Sequence, residues 1–131
     1  MKIPTFQSFK KDETGSTTVE FVLWIPFIFT FVLIAADATL AFMRQSQMWQ
    51  VSRETARIVS RHGMNETTAE AFAALQATIG TTAPDVDVSF ASGDVTVSIA
   101  MPIEAMAPFG VLAFVASDTM TTRVTHTMEP I

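Results

Sequence analysis

A glutamate stands where the longest apolar stretch of the chain begins, and a glycine precedes it by five residues. Glu20 comes directly before FVLWIPFIFTFVLIAA, the uncharged residues 21–36. A carboxylate at membrane depth costs on the order of 2.5–3.5 kcal/mol and therefore needs a partner, but no Lys or Arg lies within a helical turn or two of Glu20. Hydrolysis of the peptide bond between Gly15 and Ser16 would supply one. It makes the Ser16 α-amino group a cation four residues from Glu20, available to the same chain or to a neighbouring subunit.

The sequence does not indicate catalysis or metal binding. His62 and His126 are isolated, cysteine is absent, and no paired carboxylates lie at the spacing of metal ligands. The formal net charge of −5 argues against a nucleic-acid partner, which requires a basic surface. We therefore expect a protein that is not an enzyme, with no cofactor and no small-molecule substrate.

The element that must position Glu20 is a helix through the apolar run. At 1.5 Å per residue, residues 21–36 cover roughly 24 Å, which is less than a bilayer core of about 30 Å. Beyond Asp37 the sequence ATLAFM completes a span, and we predict a transmembrane helix over residues 16–43. Pro26 lies inside it and removes one backbone hydrogen bond, so we expect a kink there.

Three other interpretations of this segment stay open. It could be the buried core helix of a soluble domain, or an uncleaved anchor in which Glu20 is an incidental interfacial charge. It could also be a secretory signal, because Ala36-Asp37-Ala38 fits the small-x-small cleavage pattern and a cut there leaves Thr39 first. The basic residues on the two sides of the span are about equal in number and do not settle its orientation.

Helical periodicity continues beyond the span, and we predict a stalk over residues 44–62 that ends at Gly63. An apolar stripe at helical spacing consists of Met48, Val51, Thr55 and Ile58, flanked by Val59. Arg53, Arg57 and Arg61 form a second row at i, i+4 spacing. A solvated face is the simpler explanation of this row, and contact with an acidic subunit is the functional one.

The remaining residues, 63–131, predict a small α+β head. Thr67 and Glu70 form a capping box, which predicts a second helix over about residues 68–79. Alternating apolar and polar residues predict a hairpin around residues 92–94 and a third antiparallel strand over 120–128. The uncharged stretch AMAPFGVLAFVA, residues 105–116, is too short to span a membrane. It could be a buried connection under the sheet or an exposed patch that contacts a neighbour.

Three stretches of the chain resemble a known family, the TadE-like pilus-assembly proteins of tight-adherence (Flp) pilus systems, within the type IV pilin-like superfamily. The first holds Asp12-Glu13-Thr14-Gly15, then Val19-Glu20-Phe21, then Pro26. The second is the arginine-rich helix RQSQMWQVSRETARIVSRHG, residues 44–63, and the third is TMTTRVTHTMEP, residues 119–130. Trp24 departs from the small or aliphatic residues that are commoner early in such spans.

The resemblance implies a pilin-like minor pilin or pseudopilin. Residues 1–15 would be a charged leader that a prepilin peptidase removes between Gly15 and Ser16, and Glu20 would set the register of assembly. The chain would be a single-pass protein of the bacterial inner membrane, with its N-terminus in the cytoplasm and its head in the periplasm. It could also reach the pilus or the cell surface. Its partners would be the peptidase, other pilin-like subunits and the lipid bilayer. The alternative function is a secreted or membrane-anchored binding domain with no role in a pilus.

Overall fold

The computed structural model describes residues 15–116 and 118–130, so most of the predicted leader, residues 1–14, lies outside the described residues. The chain divides into two compact units. The first ends at Leu33, and the second begins at Ile34 and contains the head. Helix α1, Ser16–Ser60, supplies the described secondary structure of the first unit and enters the second.

Helix α1 is apolar in its first half and accommodates the polar groups that fall there. Pro26 lies inside the helix, and the hydroxyl of Thr30 donates a hydrogen bond of 2.8 Å to the Pro26 carbonyl. Thr39 binds the carbonyl of Ala35 in the same way, also at 2.8 Å. A hydroxyl group that bonds the carbonyl one turn earlier is already satisfied. Placing it in an apolar environment therefore costs little free energy.

The C-terminal end of α1 is closed by a Schellman motif. The amide of Gly63 donates to the Ile58 carbonyl at 3.0 Å, and that of His62 donates to the Val59 carbonyl at 2.9 Å. His62, with φ of 59°, occupies the left-handed position. Gly63 is favoured for a different reason, because a Cβ there would lie only 3.0 Å from the side chain and the carbonyl of Ile58.

Helix α2, Glu66–Ala77, begins two residues earlier than the predicted capping box places it. The side chain of Asn65 is the N-cap and accepts a 2.9 Å hydrogen bond from the amide of Thr68. Glu70 instead accepts a bond of 3.4 Å from the amide of Val88, in the first strand. The buried face of α2 is made of small residues four apart, Ala69, Ala73 and Ala77, which allow close packing against that strand.

The head contains one antiparallel sheet in the order β1-β2-β3, which confirms the predicted α+β class with a long N-terminal helix, one further main helix and three strands. The strands are β1 Asp85–Ala91, β2 Asp94–Pro102 and β3 Thr119–Thr127. Ser92 and Gly93, both with positive φ, form the two-residue turn between β1 and β2. The connection from β2 to β3 holds two short helices, α3 Ile103–Met106 and α4 Val111–Val115.

The core of the head lies between the central strand and one face of α1. The inward side chains of β2 are all buried, namely Val95, Val97, Ile99 and Met101. From α1 the buried residues include Met48 and Val59, as the stripe predicted, whereas Val51 and Ile58 are only half-buried. Ser52 and Ala56 of α1 are also completely buried. A search for large apolar residues overlooks such small side chains.

Candidate functional site

The residues that the sequence singles out for processing lie at the start of α1. Gly15 comes directly before the first residue of the helix, is exposed, and has open space where a Cβ would be added. Glu20 lies on the same helix and is also exposed. Within residues 15–116 and 118–130, no basic side chain forms an ion pair with Glu20. The structure therefore leaves Glu20 accessible to a partner that the described chain does not supply.

The part of α1 that follows Glu20 has an apolar surface all round. The most exposed large side chains there are Phe21 (63%), Leu23 (64%), Trp24 (58%), Phe27 (70%), Phe29 (65%) and Phe31 (73%). Within the described residues, α1 is the one helix long and apolar enough to cross a membrane. A surface this apolar is stable only against lipid or other helices. The ring centroids of Trp24 and Phe27 lie 6.1 Å apart, and the two rings are tilted relative to each other.

Asp37 is a buried carboxylate whose structural role the sequence did not indicate. It lies on α1 within the second unit and is completely buried. One carboxylate oxygen accepts a hydrogen bond from the amide of Phe109 at 2.9 Å, and the other accepts from Val111 at 2.9 Å and Leu112 at 3.1 Å. The last two amides belong to the first turn of α4, whose N-cap, Gly110, has no side chain to offer. Asp37 thus acts as the cap of a short helix that is more than seventy residues away in sequence.

A second contact ties the same connection to α1. The guanidinium group of Arg44 donates to the carbonyl of Ala105, just before the segment that Asp37 holds. Asp37 and Ala41 are both buried, so the last turns of the predicted membrane span carry contacts of the head. The predicted C-terminal end of the membrane span, residue 43, stays a prediction.

The structure gives the three arginines of the predicted row different surroundings. The Arg53 guanidinium lies 6.0 Å from the centre of the Trp49 ring, and Arg57 is exposed. Arg61 pairs with Glu129 at 3.3 Å, with both side chains more than half exposed. Glu129 also donates its amide to the Ser60 carbonyl at 3.0 Å. Arg61 therefore helps to hold Glu129 and its neighbours against the C-terminal end of α1. Arg53 and Arg57 face outward.

The described residues do not assemble a metal site. No three His, Asp or Glu side chains of that part of the chain converge to hold an ion. The groups that the structure does bring together are a carboxylate and backbone amides, which position a segment. The arrangement can therefore hold a segment of the chain in place and present its surface to other molecules.

Comparison with known proteins bears on the N-terminal half. Residues 15–57 match the family model described as TadE-like protein. The match begins at Gly15, contains Val19-Glu20-Phe21 and Pro26, and ends at Arg57, so it covers less than half of the chain. No curated protein and no solved structure matches the chain. The resemblance to the TadE-like family is thereby confirmed over residues 15–57.

Proposed function

We propose that this protein is a minor pilin or pseudopilin that takes part in the assembly of a tight-adherence type IV pilus. The observation that carries the proposal is the segment that matches the TadE-like family. It begins at Gly15, has Glu20 five residues later, and continues as a helix whose apolar side chains are exposed. A helix with that surface is suited to lie in a bilayer and then to pack against similar helices in an assembly.

Processing prepares the helix for assembly in this proposal. A prepilin peptidase cuts between Gly15 and Ser16, which removes the charged leader and creates a cationic amine at the start of α1. Glu20 of one subunit then pairs with the amine of a neighbour. A buried ion pair often adds little net stability, but an unmatched charge in lipid is costly, so the pair selects one axial register.

The proposed location is the bacterial inner membrane, with a single span and a periplasmic head. Burial of Asp37 supports an uncleaved span over the secretory-signal alternative. A cut after Ala38 would remove Asp37 and leave the amides of Phe109, Val111 and Leu112 without their acceptor. A folded head that depends on Asp37 favours a chain that retains the helix.

Contacts with other pilin-like subunits would extend beyond the membrane. Arg53 and Arg57 are exposed, Arg53 lies beside the ring of Trp49, and the chain is acidic as a whole. Two outward guanidinium groups on one helix face suit an acidic surface on a partner subunit. Arg61 would contribute less, because Glu129 already neutralises it.

The mature N-terminus tests the proposal. Mass spectrometry of the protein purified from membranes should find Ser16 as the first residue. Replacing Gly15 with Leu should block cleavage by crowding the subsite of the peptidase. A chain that begins at Thr39 would establish a secretory signal instead, and one that begins at Met1 or Lys2 would establish an uncleaved anchor with a binding head.

Replacement of the glutamate tests the assembly step separately. Glu20→Gln keeps the shape of the side chain and removes its charge, so the variant should insert and be cleaved but lose crosslinks to pilin-like subunits and fail to support piliation. Glu66→Gln is the matched control, an exposed glutamate on α2, and should behave like the wild type. A cleaved Glu20→Gln protein that assembles normally would refute the register mechanism.

A further inference from the structure

The connection between β2 and β3 contains an uncharged segment with one buried and one exposed side. Residues 105–116 lie between Glu104 and Asp118 in sequence and contain no charge. On the inner side, Met106 and Ala107 are almost fully buried. The outer side presents three large apolar side chains, Phe109 (55% exposed), Phe114 (92%) and Val115 (69%). Water is a poor environment for such a group of side chains, and exposed apolar groups of this kind mark contact surfaces.

The hydrogen bonds of α1 fix the direction in which this segment runs. Arg44 binds the carbonyl of Ala105, and Asp37 binds the amides of residues 109, 111 and 112. Asp37 precedes Arg44 by seven residues, or about 10 Å of helix. The segment therefore runs back along α1 towards its N-terminal side, and its most exposed residues follow the contact with Asp37.

The contact with Asp37 lies where the apolar run of α1 ends. Residues 21–36 hold no charge, and Asp37 is the next residue. A run of that length is several Å shorter than a bilayer core. The carboxylate of Asp37, which would be costly near a membrane, is enclosed and satisfied by three backbone amides. Asp37 thus lies at the end of the apolar run, and three hydrogen bonds satisfy its charge. Its neighbourhood is therefore compatible with the edge of a bilayer.

We propose that the segment 105–116 is a second membrane-contact element, which rests in the interfacial layer of the bilayer with Phe109, Phe114 and Val115 against the acyl chains. This inference rests on the proposed membrane location of α1. The covalent chain selects lipid as the occupant, because the apolar run that enters the membrane continues directly into the residue that holds the segment. Asp37 then has a defined role. It positions the segment so that the head contacts the bilayer directly.

Single cysteines in the full chain provide the test, since the natural sequence contains none. Phe114→Cys carries the probe at the proposed contact. Phe29→Cys, 65% exposed in the apolar run, reports insertion of the helix. Leu75→Cys, 80% exposed on α2, is a matched apolar control away from the segment. Each protein is labelled with an environment-sensitive fluorophore and reconstituted at high lipid excess into vesicles of phosphatidylethanolamine and phosphatidylglycerol. Fluorescence is then quenched either by spin-labelled lipid or by iodide in the water.

The expected result is that lipid-borne quencher reduces the fluorescence of Phe114→Cys nearly as much as that of Phe29→Cys, while Leu75→Cys responds mainly to iodide. Quenching of Phe114→Cys by iodide alone, with Phe29→Cys quenched by lipid, would overturn this inference and leave the membrane span intact. Protection of Phe114→Cys from both quenchers would also overturn it, because protein and not lipid would then cover the segment. Failure of lipid quenching at Phe29→Cys would instead refute the membrane location in the proposed function.

Discussion

Helix α1 carries two carboxylates in its apolar half, and the structure treats them in opposite ways. Glu20 is exposed and has no ion pair within the described residues. Asp37 is completely buried and accepts three backbone hydrogen bonds. The Glu20 carboxylate is thus open to a partner that the described residues do not supply. The Asp37 carboxylate already accepts hydrogen bonds from within the fold.

The difference separates the carboxylate that the fold uses, Asp37, from the carboxylate that we propose for assembly, Glu20. A buried charge is tolerable only when its hydrogen bonds are made, so Asp37 and the connection it holds depend on each other. Glu20 is exposed and makes no ion pair within residues 15–116 and 118–130, so we expect it to contribute little to the stability of the head. Removing each carboxylate should therefore affect different measurements, and the predictions below use that separation.

The largest effect on stability should come from Asp37→Ala. The change leaves the amides of Phe109, Val111 and Leu112 without their acceptor, and we expect the free energy of unfolding of the head to fall by about 3 kcal/mol. Denaturant unfolding of the full chain in mild detergent, followed by circular dichroism, measures it. Hydrogen exchange at the three amides should accelerate as well. Unchanged protection there would contradict the role given to Asp37.

A smaller effect should follow from Met48→Ala, which leaves a cavity where α1 meets the sheet. Met48 is 2% exposed, and we expect a loss of about 2 kcal/mol. Met43→Ala is the matched control, because Met43 lies five residues away on the same helix and is 60% exposed. Equal stability of the two variants would mean that the buried face of α1 is wrongly assigned.

Thr55→Val should change stability in the opposite direction. The Thr55 hydroxyl is buried and finds no hydrogen-bond partner among the described residues. Replacement by an apolar group of the same shape should raise the free energy of unfolding by about 1 kcal/mol. Thr122→Val is the control, because the Thr122 hydroxyl bonds Ser52 at 3.2 Å and the Ile99 carbonyl at 3.4 Å, and its loss should destabilise. Destabilisation by Thr55→Val would reveal a partner for that hydroxyl.

The smallest effect on stability should come from Glu20→Gln, which completes the comparison with Asp37. An exposed side chain outside the head should change the free energy of unfolding by less than about 0.5 kcal/mol. The same denaturant measurement applies. A loss similar to that of Asp37→Ala would show that Glu20 has a structural role in the isolated chain, and its proposed function in assembly would need another basis.

Local patterns in the sequence determined much of this protein. Alternation of apolar and polar residues predicts β2 because its inward side chains meet the core at every second position. Residues 92–94 correctly mark the hairpin, since Ser92 and Gly93 supply the positive φ that the turn requires. The uncharged run 21–36 predicts a helix fit to span a membrane. Each of these depends on neighbours along the chain, so each is visible without a structure.

Only the tertiary structure decided the role of Asp37, because its partners lie more than seventy residues away and are backbone amides. Every residue except proline has a backbone amide, so the sequence does not show which amides will bond to Asp37. Packing likewise buried Ser52 and Ala56, small side chains that a hydrophobic pattern does not single out, and the Ser52 hydroxyl lies 3.2 Å from that of Thr122 in β3. The N-cap of α2 is Asn65 and not the predicted Thr67, and Glu70 instead accepts a hydrogen bond from the amide of Val88 in β1. Periodicity thus determines the elements of the chain, whereas contacts between distant segments determine which of its polar groups the fold itself uses.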